Sequence, residues 1–143
     1  MRLQKATRCA LFAVLELAQD PEQQITAADI ADKYQISVNH LAKVLRDLAR
    51  AGLVTPMRGA GGGYRLQANP KRTTLFEIIQ LFEDFGHDIQ NRAEDGDHSD
   101  IGQALKQVTN EIDNIAISTM KSITLSTLLK RVAMNAEKKP GNL

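Results

Sequence analysis

Residues suited to gripping a nucleic-acid duplex cluster in the first half of the chain. Ser37, Val38, Asn39 and His40 stand together ahead of an apolar-periodic stretch. Asn pairs with an adenine edge in a bidentate manner, and an apolar group such as Val38 meets a thymine methyl. His40 can meet a base or a phosphate, although a histidine at a helix start needs no ligand. Lys43 and Arg50 suit phosphate oxygens, which position a protein without reading sequence. Arg46 is balanced between that role and a solvated helix position. Farther on comes Arg58-Gly59-Ala60-Gly61-Gly62-Gly63-Tyr64. A guanidinium fits a narrow minor groove, and glycines let bare amides approach a phosphate closely. Four glycines in five positions exceed what a hairpin needs, so a ligand-free turn is the plainer, weaker reading. A nucleotide-binding loop requires a helix after its glycines. Tyr64 to Pro70 reads instead as a strand and a break.

These groups need elements to hold them. Ala10, Leu11, Val14, Leu15 and Ala18 recur at helical spacing, so a helix is expected from about Gln4 to Gln19, ended by Asp20-Pro21. Thr26-Ala27-Ala28-Asp29 fits a capping box opening a second helix. After a tight turn at Tyr34-Gln35-Ile36, Ser37 caps a third helix to about Ala51, with Leu41, Val44, Leu45 and Leu48 as its buried stripe. Two helices on so short a turn, the second with a polar amino end, match helix-turn-helix geometry. Val54 to Met57 and Gly63 to Leu66 read as two wing strands. Thr74-Leu75-Phe76-Glu77 is a second capping box.

Beyond Phe82 the pattern changes. Residues 83–100 carry seven acids and one arginine with little apolar content, and read as an exposed loop. Ile101, Leu105, Val108, Ile112, Ile115 and Thr119 are then spaced 4, 3, 4, 3, 4. That is a heptad seam on a helix of roughly 30 Å. It calls for an apolar partner. A second copy of the chain is expected, against the alternative of packing on the same chain's winged part. A last helix follows Thr124. The expected division is a winged helix-turn-helix domain over 1–82, an acidic loop over 83–99, dimerisation helices over 100–136 and a flexible tail over 137–143. The fold class is mainly α, a winged helix-turn-helix domain with a small two-stranded wing plus a long dimerisation helix.

The chain has 143 residues, 43% hydrophobic and 4% aromatic. Its net charge of +1 conceals an asymmetry. Lys and Arg outnumber Asp and Glu by 11 to 6 in residues 1–72 and trail by 7 to 11 in residues 73–143. A basic half suits DNA, an acidic half a solvated or dimerising module. No apolar run crosses a bilayer and the first residues do not read as a secretion signal. A cytoplasmic protein is expected, with no membrane partner. No nucleophile motif, phosphate loop or zinc-ligand set is present in the sequence, so an enzyme is not expected.

Four segments together resemble the IscR/NsrR-type bacterial regulators of the Rrf2 family. They are residues 1–18 (MRLQKATRCALFAVLELA), 37–54 (SVNHLAKVLRDLARAGLV), 58–66 (RGAGGGYRL) and 124–129 (TLSTLL). The resemblance spans the chain. It implies a winged-helix homodimer crossed by a long helix, binding partly palindromic promoter DNA as double-stranded DNA, often as a repressor. The DNA-binding residues expected are Ser37, Val38, Asn39, His40, Lys43, Arg50, Arg58, Gly59, Ala60, Gly61 and Tyr64. A winged-helix interaction scaffold is the other reading, but it has no need of Arg58 or a basic recognition helix.

Many members of that family hold an iron–sulfur cluster through three cysteines in the loop before the long helix. Here the loop offers Asp88, Glu94, Asp97 and Asp100. Asp88, Glu94 and Asp100 repeat a six-residue spacing like that of the cysteines. Clusters want thiolates, whereas carboxylates suit Mg²⁺, Ca²⁺ or Mn²⁺. No cofactor is expected, and the usual three-cysteine cluster least of all. Cys9, the one cysteine, reads as a small buried hydrophobe. A thiol switch is the alternative, because Arg8 lies beside it. His87 and His98 flank the acidic loop, as a metal- or haem-binding pair or as plain surface residues.

Overall fold

Residues 1–85 and 94–139 are described in the computed structural model of the chain. Asp88 and His87 lie outside them. The core is aliphatic because each of the first helices presents one apolar stripe. Helix α1 (Lys5–Ala18) buries Ala10, Ala13, Val14 and Leu17. Helix α2 (Ala27–Tyr34) adds Ile30 and Ala31, and α3 (Val38–Arg50) adds Leu41, Val44, Leu45 and Leu48. Strands β1 (Val54–Pro56) and β2 (Tyr64–Leu66) pair antiparallel with Val54 opposite Leu66. They close one side of that core through Val54 and Leu66.

Local chemistry sets the helix ends. Thr26 Oγ1 accepts the Asp29 amide at 3.1 Å, but only this half of the expected capping box forms. Thr74 and Glu77 form both halves, opening the short helix α4 (Leu75–Ile79). Helix α3 ends as glycine caps do, with Gly52 at positive φ and Leu53 N donating to Leu48 O at 3.0 Å. Helix α1 has no side-chain cap of its own. Glu83, 79 residues away, supplies one: its Oε1 accepts Gln4 N at 2.6 Å and the buried Thr7 hydroxyl at 2.9 Å.

Helices α5 (Asp100–Lys121) and α6 (Leu125–Glu137) complete the chain. Their corner lies against the segment after the wing. Leu75 N donates to Ile123 O at 2.8 Å, Leu125 N to Thr73 O at 3.0 Å and Ser126 N to Pro70 O at 2.9 Å. Below this corner Met120 packs on Phe76 and Ile79, forming a second, smaller core. Along the rest of α5 the heptad positions stay in solvent: Ile101 is 76% exposed, Leu105 62%, Ile112 59% and Ile115 68%. The seam therefore does not pack on its own winged part. The acidic loop is more ordered at its end than its composition implies. Ser99 caps α5, its hydroxyl accepting Gly102 N at 2.9 Å and donating to Gly96 O at 2.6 Å. A Cβ on Gly102 would stand 2.0 Å from Gly96 O, so the turn seats on the helix only because Gly102 has no side chain.

A polar cluster ties α1 to α2. Tyr34 stacks on Phe12 at 4.9 Å, and its hydroxyl donates to the Glu16 carboxylate, which also pairs with Lys33 at 2.8 Å. Burial raises the Glu16 carboxyl, yet the bonds from Lys33 and Tyr34 outweigh it and hold the group below its ordinary value. Burial, with the Glu16 contact, pushes Tyr34 up to about 12 from 10.0. A raised folded value means that Tyr34's stabilising share is whole below the ordinary value and is lost as pH rises through about 12. Tyr34→Phe is expected to flatten that alkaline decline, read from urea midpoints between about pH 10 and 12. An unchanged slope in the variant would contradict it.

Candidate nucleic-acid interface

The amino end of α3 carries the reading residues outward. Ser37 caps the helix, its Oγ accepting His40 N at 3.4 Å and keeping its own proton free to donate. Ahead of it Gln35 turns the chain at φ 55, the one non-glycine residue at positive φ among the described residues. Val38 is 50% exposed, and Ser37, Asn39, Lys43 and Arg46 are exposed. Arg50 is exposed too, with a 3.7 Å contact to Asp47 too open to hold it. His40 differs. It is half-buried, and its Nε2 is shut from solvent without a hydrogen-bond partner. Its ring has to turn outward before that nitrogen can meet a base.

The wing turn follows the same division between exposed and engaged groups. Arg58, Gly59, Ala60 and Gly61 are exposed, and among the described residues Arg58 forms no ion pair. Tyr64 is half-buried against the main core, and both its backbone groups are used. Its amide donates to Ile25 O at 2.8 Å and its carbonyl accepts Ile25 N at 3.0 Å. This isolated bridge makes Ile25 a third strand position beside the wing, which the sequence pattern did not reveal. The glycines also need a different explanation. Gly59, Gly61, Gly62 and Gly63 all take positive φ, so the turn itself accounts for their number. Gly63 has a second reason: a Cβ there would lie 2.7 Å from Ile25 O.

The other candidates separate. Cys9 is 3% exposed inside the main core. Burial pushes its thiol up, against the opposing pull of Lys5 and Arg8. It is a packing residue, as its place on the apolar face implies. Glu94, His98 and Asp100 are exposed and Asp97 half-buried. Asp97 Oδ2 accepts Glu94 N at 2.7 Å, an internal turn contact. Among the described residues no three His, Cys, Asp or Glu side chains gather as metal ligands. None of the described helices is long and apolar enough to cross a membrane.

A polar-tipped helix after a short left-handed turn, followed by a glycine-tipped hairpin, defines the winged helix-turn-helix class of DNA-binding proteins. The Rrf2 family, described as iron-dependent transcriptional regulators, matches residues 3–131, and the chain belongs to it. BadM of Rhodopseudomonas palustris, assigned as an HTH-type transcriptional regulator, is 58% identical over 130 residues, covering 91% of this chain and 82% of its own length. Among solved structures CymR, the global cysteine regulator of B. subtilis, matches with a TM-score of 0.74 at 26% identity, over 92% of this chain and 98% of CymR. IscR of T. potens matches with a TM-score of 0.70 at 26% identity, over 99% of this chain and 94% of that one. The protein is a DNA-binding transcriptional regulator, and its family and relatives are regulators rather than enzymes.

Gly63→Ala joins a backbone clash to a disfavoured φ, at a cost of about 1–3 kcal/mol. A lowered urea midpoint is the expected result, and an unchanged one would show that the Ile25 contact relaxes freely.

Proposed function

We propose that the protein is a promoter-binding repressor that acts as a homodimer in the cytoplasm. The reading rests on one observation above all: Val38, Asn39 and Arg58 are exposed and unspent by the fold, with Ser37 exposed beside them. Asn39 and Val38 read base edges in the major groove. Lys43, Arg50 and the bare amides of Gly59, Ala60 and Gly61 hold phosphates. Arg58 enters the minor groove. Ser37 donates to the backbone, His40 joins once its ring turns out, and Tyr64 supports the wing from behind.

The second copy pairs through Ile101, Leu105, Val108, Ile112, Ile115 and Thr119. Support comes from their exposure and their heptad spacing, since burying a Leu or Ile contributes roughly 1.5–3 kcal/mol. Two reading helices then meet successive major-groove faces roughly 34 Å apart. An effector that favours one placement of the two winged parts would change affinity by linkage.

The family's iron-dependent description does not carry over as a three-cysteine cluster. The chain's one thiol is Cys9, buried in the core, and Glu94, Asp97 and Asp100 supply hard oxygen donors. We propose that the protein regulates without such a cluster.

Selection of duplexes from a random-sequence pool is expected to enrich a partly palindromic site, and failure to enrich any site would remove the reading. On that duplex Asn39→Ala is expected to cost about 1–3 kcal/mol and to relax preference at one base position. Arg58→Ala is expected to weaken binding and lower the salt dependence. Wild-type gel-shift affinity in both variants would overturn the site assignment. Ile112→Asp is expected to yield monomers in sedimentation and to lose cooperative binding to the palindrome, and a dimer of ordinary strength would refute the seam.

A further inference from the structure

Arg58 does work at DNA only if the hairpin that carries it stands at a set angle to α3. Two strands of three residues are too little sheet to fix that angle unaided. The structure supplies the missing support from the segment 22–25, which joins α1 to α2.

That segment is fastened on both sides. Toward α1, Glu22 N donates to Asp20 Oδ1 at 3.1 Å, Gln23 N to Asp20 O at 3.0 Å and Gln23 Nε2 to Glu16 O at 3.2 Å. Toward the wing, Ile25 exchanges both backbone bonds with Tyr64, and the Arg65 guanidinium donates to Glu22 O at 3.2 Å. Arg65 is thus a wing cation with one guanidinium hydrogen bond committed to the fold. The last contact reaches the turn itself: the Gln24 side-chain amide donates to Gly62 O. Gly62 N in turn donates to Gly59 O at 3.0 Å, and Met57 N to Gly63 O at 2.8 Å. Arg58 sits between Met57 and Gly59, so holding Gly62 holds Gly59 directly and Met57 through the next residue, Gly63. Gln24 itself is exposed, and this is the one bond its side chain makes among the described residues. It buries nothing that would keep it for the core.

We propose that Gln24 is a positioning residue for DNA binding, fixing the wing turn so that Arg58 meets the duplex without first being ordered. The proposal rests on the wing reading above. Preorganisation removes the ordering cost of binding, and one hydrogen bond of this kind corresponds to about three- to tenfold in affinity.

The test uses the full-length protein and the duplex enriched from the random pool, with affinity read by fluorescence anisotropy across a salt series. Gln24→Met keeps the length of the side chain, removes the donor and adds no charge. It is expected to lose about three- to tenfold in affinity and to lower the salt slope as Arg58→Ala does. In an Arg58→Ala background the same change is expected to cost less than it does alone, because the guanidinium it positions is gone and only the amides of the turn remain to be ordered. Circular dichroism at the assay temperature checks that the variants are folded, and a purely structural role would leave the salt slope alone. Wild-type affinity of Gln24→Met beside an impaired Arg58→Ala overturns the positioning role and leaves the wing reading standing. Losses that multiply in full in the double variant overturn it as well. Wild-type affinity of Arg58→Ala removes the wing reading itself, and this role with it.

Discussion

The corner between α5 and α6 governs how the molecule works as a unit. Three backbone hydrogen bonds join Ile123, Leu125 and Ser126 to Leu75, Thr73 and Pro70. Peptide groups there are satisfied only while the long helix and the segment after the wing keep their relative placement, and leaving one buried and unpaired is costly. Met120, Phe76 and Ile79 close the same joint with apolar contact. The long helix therefore reports its position to the DNA-facing part through a stiff joint rather than a linker. Leu125 of α6 also sits in the main core, so the exposed residues on α3 and the wing keep a defined relation to the α5 seam.

A second theme is how the chain divides its polar groups between holding and reaching. Arg65 and Arg58 lie on the same hairpin, yet one is turned inward to Glu22 O and the other is exposed. Glu83 caps α1 from a distance, while Glu94 and Asp97 serve only their own turn. Such division matters because a cation tied by the fold is less free to follow a phosphate. The groups left over on α3 and the wing are those that chemistry best matches to base edges and backbone.

What could be read in the sequence was what local chemistry writes there. Thr26, Ser37 and Thr74 announce helix starts because a hydroxyl caps an amide three residues on. The α5 seam was legible because its spacing can only be helical, and its exposure follows from the absence of a facing stripe in the same chain. Contacts that join distant residues left no pattern. The bridge from Ile25 to Tyr64 is a single residue pair, too short for an alternation to form. Glu83 reads as one acid among several near an acidic stretch, and nothing local marks it as the cap of α1. The wing glycines stand out by their count, which alone cannot separate a ligand cradle from a turn built of left-handed residues. Gly102, within α5, is where Gly96 comes to rest, a contact with no local signature.

The uncovered ridge of Ile101, Leu105, Ile112 and Ile115 has a bearing on abundance. A lone protomer keeps that ridge wet, so in the proposed homodimer pairing, by mass action, would tie the amount of competent reader to more than the first power of the number of chains made. With such pairing, halving synthesis would lower promoter occupancy by more than half once the protein is scarce. A gene under such control switches over a narrower range of regulator dose than it would with a one-chain reader.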